Sequence, residues 1–183
     1  MAAMLRHVFA FAFVAALALV PARCLAQASP APGGPKILTA TEAAAILPPS
    51  VFFHGQSATI QARNSTGVRF SADALVLATL VDTSGYSSAV QQKYQGYLIT
   101  ESPIEIAGHR LSPGAYGFGF IADDTFLVMD IGAHDLVTGK STRDANLRRP
   151  MPLQILPAPN AHSWRLYAGR NFVEFALDSS PAR

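Results

Sequence analysis

From Ser50 to Leu177 the chain alternates short runs rich in Val, Ile, Phe and Tyr with clusters of Gly, Pro, Asn and Asp. β-branched and aromatic side chains fit a pleated surface, and the intervening residues favour turns. Many closely spaced strands with almost no helix between them leave one fold class. The chain is expected to be mainly β: a single antiparallel β-sandwich or barrel with one short N-terminal helix. Strands are predicted at 50–53, 58–63, 74–82, 94–101 and 104–107. Five more are predicted at 115–121, 125–131, 152–156, 163–168 and 171–177. Residues 74–81 (ALVLATLV) are apolar on both faces, as a central strand requires. Asn64-Ser65-Thr66 is expected to turn between strands.

The helix is predicted upstream. Thr39-Ala40-Thr41-Glu42 fits a capping box, in which the Thr39 hydroxyl accepts the Glu42 amide and the Glu42 carboxylate accepts the Thr39 amide. Residues 43–47 continue it, and Pro48-Pro49 stops it. A second helical turn fits 88–93. Ahead of these, residues 1–28 have the form of an export signal. Arg6 and His7 precede an apolar run from Val8 to Val20, and Ala26-Gln27-Ala28 supplies the A-x-A cleavage pattern. That run is too short for a stable membrane span. Residues 29–36 (SPAPGGPK) form a Pro/Gly linker, 37–178 the β domain, and 179–183 a disordered tail.

Cleavage near Ala28 changes the bulk properties. Arg6 and Arg23 are two of the 14 basic residues, so the mature chain carries 12 against 12 acidic ones. Formal neutrality gives no long-range attraction to nucleic acid or an anionic membrane. Cys24, the one cysteine, leaves with the signal, so packing alone must hold the secreted or periplasmic domain. No integral membrane segment is expected in the mature chain.

Two hairpins can be specified in register. Gly169-Arg170 suits a two-residue turn, which sets Leu166 opposite Val173 and Trp164 opposite Phe175. The other face then pairs Tyr167 with Phe172 and Arg165 with Glu174, each pair adding ~0.2–1 kcal/mol. The second hairpin runs from Tyr116 to Ile121 and returns through Asp123-Asp124 into 125–129. Pro113-Gly114 is expected to open it as a type II turn. Tyr116, Phe118 and Phe120 should form an aromatic spine on the core face. The opposite face carries Gly117 and Gly119 and is nearly bare. Either a neighbouring group covers this strip, or it floors a ligand groove with Asp130 as the polar contact across the strand pair.

Residues 104–118 (IEIAGHRLSPGAYGF) resemble a hairpin of small secreted β-domain proteins of soil bacteria, a family of domain-of-unknown-function type. The shared pattern is a strand, an Ala-Gly turn, Leu-x-Pro-Gly-x-Tyr and an aromatic-rich strand. Stretches similar to 51–56 (VFFHGQ) and 81–86 (VDTSGY) extend the likeness over most of the domain. The resemblance implies secretion and a β-fold, and it brings no activity and no residue role.

Sites for chemistry are few. Gly139-Lys140-Ser141-Thr142 ends like a phosphate-binding loop, but six residues separate Gly132 from Gly139 where the loop has four. A solvated turn is expected there. His54, His109, His134 and His162 share no metal-ligand spacing, so no metal is expected. His134-Asp135 could orient an imidazole, yet no serine lies in a G-x-S-x-G elbow. Asp123-Asp124 fits turn chemistry. Residues 143–149 are expected to form a basic exposed loop ended by Pro150, with an anion-binding patch as the alternative. The resulting expectation is a secreted binding or interaction module without cofactor or catalytic residues, its partner a protein or a small apolar ligand. A small β-barrel carrier of an apolar ligand is the first alternative, and a hydrolase the last.

Overall fold

The structure is a computed structural model that describes residues 34–160 and 162–178. The expected signal peptide, linker residues 29–33 and the tail 179–183 lie outside the described residues. The first strand, β1 (Lys36–Leu38), already includes the last residue assigned to the linker. Helix α1 (Ala40–Ile46) begins on the predicted cap: the Thr39 N–H donates to Glu42 Oε2 at 2.9 Å and the Glu42 N–H to Thr39 Oγ1 at 3.3 Å.

Strands β2 (Ser50–Phe53), β3 (Gln56–Ser71) and β4 (Ala74–Val81) follow, joined by tight turns. After α2 (Ser88–Lys93) come β5 (Gly96–Thr100), β6 (Ile104–Ile106) and β7 (His109–Leu111). Next are β8 (Gly114–Ile121), β9 (Thr125–Met129), β10 (Asp135–Lys140) and β11 (Thr142–Arg143). The last three are β12 (Met151–Pro157), β13 (Trp164–Gly169) and β14 (Asn171–Leu177).

They form two antiparallel sheets in a sandwich-like arrangement, and no barrel closes. The first has eight strands in the order β1-β3-β4-β5-β8-β9-β10, with β2 also on β3. The second has six, ordered β12-β13-β14-β6-β7, with β11 on β14. Between them lies the main core. Val76, Leu98, Phe118 and Val128 of the first sheet meet Ile106, Ile155, Leu166 and Phe175 of the second. The first sheet is covered on its outer face too. Leu38, Ala43 and Leu47 pack on Leu75 and Leu77 beneath α1. Val51 and Phe53 of β2 pack with Tyr86, Tyr94 and Tyr97 further along. This double burial is why β4 is apolar on both faces, with Thr79 its one polar residue.

Both predicted hairpins form. β13 and β14 pair Leu166 with Val173, Trp164 with Phe175, Tyr167 with Phe172 and Arg165 with Glu174. Gly169 supplies the positive φ of the turn, +61°. In the β8–β9 hairpin, Phe118 is fully buried and its ring lies 6.2 Å from that of Phe126, itself 4.9 Å from Phe120. Asp123 and Asp124 take φ of 57° and 51°, the left-handed pair that a tight hairpin of matching twist needs.

Four expectations need correcting. Asn64-Ser65-Thr66 lies inside β3, not in a turn. Ile60 faces Val81 and Ser65 faces Thr79, so the extra residues bulge while the strand continues. Gln61 Nε2 caps the Val81 carbonyl at 3.1 Å there, and buried Ser65 and Thr79 share a 2.8 Å hydrogen bond. Gly114 is no type II turn: it opens β8 opposite Thr100, and positive φ falls instead on Ala107 and Gly108 between β6 and β7. Gly139-Lys140-Ser141-Thr142 is not a solvated turn. Gly139 and Lys140 pair with Phe126 and Thr125, Ser141 is buried, and Thr142 enters the other sheet opposite Phe172. Finally, Asp135 does not hold His134. It pairs with Lys93 at 2.8 Å, and Asp130 takes His134.

Candidate functional site

The predicted groove over the glycine strip is occupied by the protein itself. A Cβ on Gly117 would overlap the Phe53 ring, with Cζ at 2.8 Å. One on Gly119 would overlap the carbonyl oxygen of Lys93 and stand 2.9 Å from its carbon. The glycines are there because the Phe53 ring of β2 and the backbone at the end of α2 press directly on the sheet. Phe53 in turn stacks on Tyr94 at 3.8 Å between ring centroids, and the Tyr86 hydroxyl donates to the Phe53 carbonyl at 3.1 Å. Burial pushes the Tyr94 and Tyr86 hydroxyls up, so they stay neutral.

Asp130 works on its own loop. Its Oδ1 accepts the N–H groups of Gly132 (2.8 Å) and His134 (2.9 Å), and the His134 ring Nδ1 lies 2.9 Å from Oδ2. The His134 amide first, and then its imidazole, hold the Asp130 carboxyl below the usual carboxylate range. The His134 side chain is four-fifths exposed, which is a poor setting for base catalysis. His54, with φ of 47°, sits in the β2–β3 turn, and its Nδ1 lies 3.1 Å from the Gly132 carbonyl. His109 and His162 are exposed. Among the described residues no cluster of three His, Cys, Asp or Glu side chains could hold a metal.

A concavity does exist elsewhere, on the outer face of the six-stranded sheet. It encloses about 630 Å³. Phe172, Glu174 and Ala176 of β14 and Arg165 of β13 line it from the sheet. Around them stand the Ala107-Gly108 turn, Lys140 and Thr142 at the crossover between sheets, and Asn160 and Ser163 of the β12–β13 loop. Gly139 is needed at that crossover because an added Cβ would lie 2.7 Å from the Ala107 Cβ.

Arg165 is the lining residue with the most fixed side chain. Its Nε and Nη2 both reach Glu174 Oε1, at 3.0 and 2.9 Å, and its guanidinium carbon stands 4.2 Å from the Phe172 ring centroid. Ion pair and cation–π contact together hold a flexible side chain in one pose. Burial disfavours its charge, but Tyr167 and Glu174 outweigh that and raise its pKa. The Tyr167 hydroxyl donates to Asp144 Oδ2 at 3.0 Å, and burial pushes its pKa up. The result is a charged pair held in a fixed pose over the Phe172 ring at the wall of the concavity.

The Arg165–Glu174 and Tyr167–Phe172 pairs were legible from cross-strand register. The groove was not, because its walls come from Ala107 and Gly108, from Lys140 and Thr142, and from Asn160 and Ser163, which meet only in the tertiary fold. Compared with protein-family models, with curated proteins and with solved structures, the chain shows no match.

Proposed function

We propose that the chain is an exported, non-catalytic binding module whose contact surface is the groove on the six-stranded sheet. One observation carries this reading: Arg165, fixed by Glu174 and Phe172, lines a concavity together with Lys140, Thr142, Asn160 and Ser163. Immobilised polar side chains lower the ordering cost of association. Export rests on the signal pattern of residues 1–28. The polar rim favours a polar, extended ligand over an apolar one.

N-terminal sequencing of protein from a secreting host should find cleavage after Ala28, and an uncleaved cytosolic protein would refute export. Saturation-transfer NMR against a mixture of soluble oligosaccharides and short peptides tests the groove. Signals are expected from one class and should vanish in Ala176→Trp, which fills the concavity. Binding unaffected by that variant, or turnover of a probe, would overturn the reading.

A further inference from the structure

Residues 143–149 carry Arg143, Arg148 and Arg149 with one acid, Asp144. The fold fixes this loop from outside. Arg170 Nη1 donates to the carbonyls of Asp144, Ala145 and Leu147 at 3.3, 3.1 and 2.8 Å, and the Asp144 N–H donates to the Arg170 carbonyl at 2.9 Å. The acid is consumed in the same way. Its Oδ1 accepts the Asn146 N–H at 2.9 Å and its Oδ2 the Tyr167 hydroxyl at 3.0 Å. Arg143, Arg148 and Arg149 remain exposed, and among the described residues none has an ion pair. The fold therefore presents three exposed arginines, without an ion pair among the described residues, on one loop whose backbone is anchored.

The patch begins at the margin of the groove. Thr142 lines the groove, and Arg143 follows it on β11, opposite Asn171. We propose that groove and loop together bind an acidic polysaccharide. Its ring hydroxyls meet Thr142, Asn160 and Ser163, and its carboxylates meet Arg143, Arg148 and Arg149. This rests on the groove being the contact surface. Guanidinium forks match discrete carboxylates bidentately, and a loop already held by Arg170 loses little freedom on doing so. A glycan is favoured over a single-stranded nucleic acid because residues 143–149 carry no aromatic side chain on which a base could stack. Glu105 and Glu174 border the groove, so the polymer's carboxylates are assigned to the loop and its hydroxyls to the groove.

The test titrates the full chain from a secreting host with polygalacturonate and, separately, with a neutral galactan. Polygalacturonate should bind more tightly and weaken with salt. Arg143→Gln, Arg148→Gln and Arg149→Gln combined should lower its affinity about ten-fold. Thermal melts should show the variant folded, and if it is not, Arg149→Gln alone should still weaken polygalacturonate more than galactan. Equal binding of the two polymers, or affinity unchanged in the variants, would refute the acidic partner while leaving the groove reading intact. Failure of both polymers to bind would refute the polysaccharide, while the groove reading falls only if the short peptides fail to bind as well. Tighter binding to phosphatidylglycerol vesicles or single-stranded DNA than to polygalacturonate would overturn the glycan assignment.

Discussion

The outer faces of the two sheets have opposite fates. On the eight-stranded sheet, α1, β2 and α2 cover the surface, and glycine stands where a neighbour comes too close for a side chain. On the six-stranded sheet, the corresponding face holds Glu105, Arg165, Glu174 and Thr142 around an open groove. Both glycine strips and charged pairs catch the eye as candidate sites. The contrast teaches that a bare strip in a strand signals close packing, whereas a fixed polar pair beside solvent leaves room for a partner.

Substitutions on the two faces should therefore differ in scale. Gly119→Val places branched carbons against the backbone of Lys93, which cannot move without unwinding α2. No cooperative thermal transition is expected, and a melt close to that of the parent would show that the strip is open after all. Phe118→Ala, in the shared core, should cost roughly 3–5 kcal/mol from lost burial and residual cavity. That is a fall in Tm of about 10 °C or more for a domain of this size. Thr39→Ala removes the cap that seats α1 on the covered face and should cost about 1 kcal/mol. Glu174→Ala, on the open face, should cost under about 1 kcal/mol, since the pair it breaks is partly solvated. A larger loss would mean the groove is structural.

The smallest effect is one of pH. The Lys36 ammonium, 2.6 Å away, followed by the Thr39 amide and hydroxyl, holds the Glu42 carboxyl at about 2 against an ordinary 4.5. A depressed acid contributes stability that is present above its unfolded pKa and lost as pH falls through the folded one. Stability should thus decline between about pH 4.5 and 2, and Glu42→Gln should flatten that part of the curve in acid titrations followed by circular dichroism. An unchanged slope would mean the capping box contributes nothing in solution.

The accuracy of the sequence reading follows the range of the forces involved. The C-terminal hairpin was legible in full because its turn and cross-strand pairs are neighbours in the chain. So was the cap on α1, which spans three residues. β3 was cut short because Asn64-Ser65-Thr66 has turn chemistry. The Ser65 hydroxyl is satisfied instead by the Gln61 carbonyl in the bulge and by Thr79 on the next strand. β10 and β11 were missed because Gly139 is a poor strand former and Ser141 interrupts the run between them. β10 is held by β9 and by the close passage of Ala107, and β11 by β14.

What the amino-acid order determined unaided was the class of fold, its local pairings and the position of its aromatic spine. Periodicity and turn propensity act over a few residues and do not depend on the rest of the chain. Which face is covered, where a concavity opens and which arginines stay unpaired were decided only in three dimensions. Each depends on segments far apart in sequence: Phe53 over Gly117, Lys93 over Gly119, and Arg170 on the loop that carries Arg148 and Arg149. No local propensity encodes such meetings, because their energy arises only once the sheets have packed.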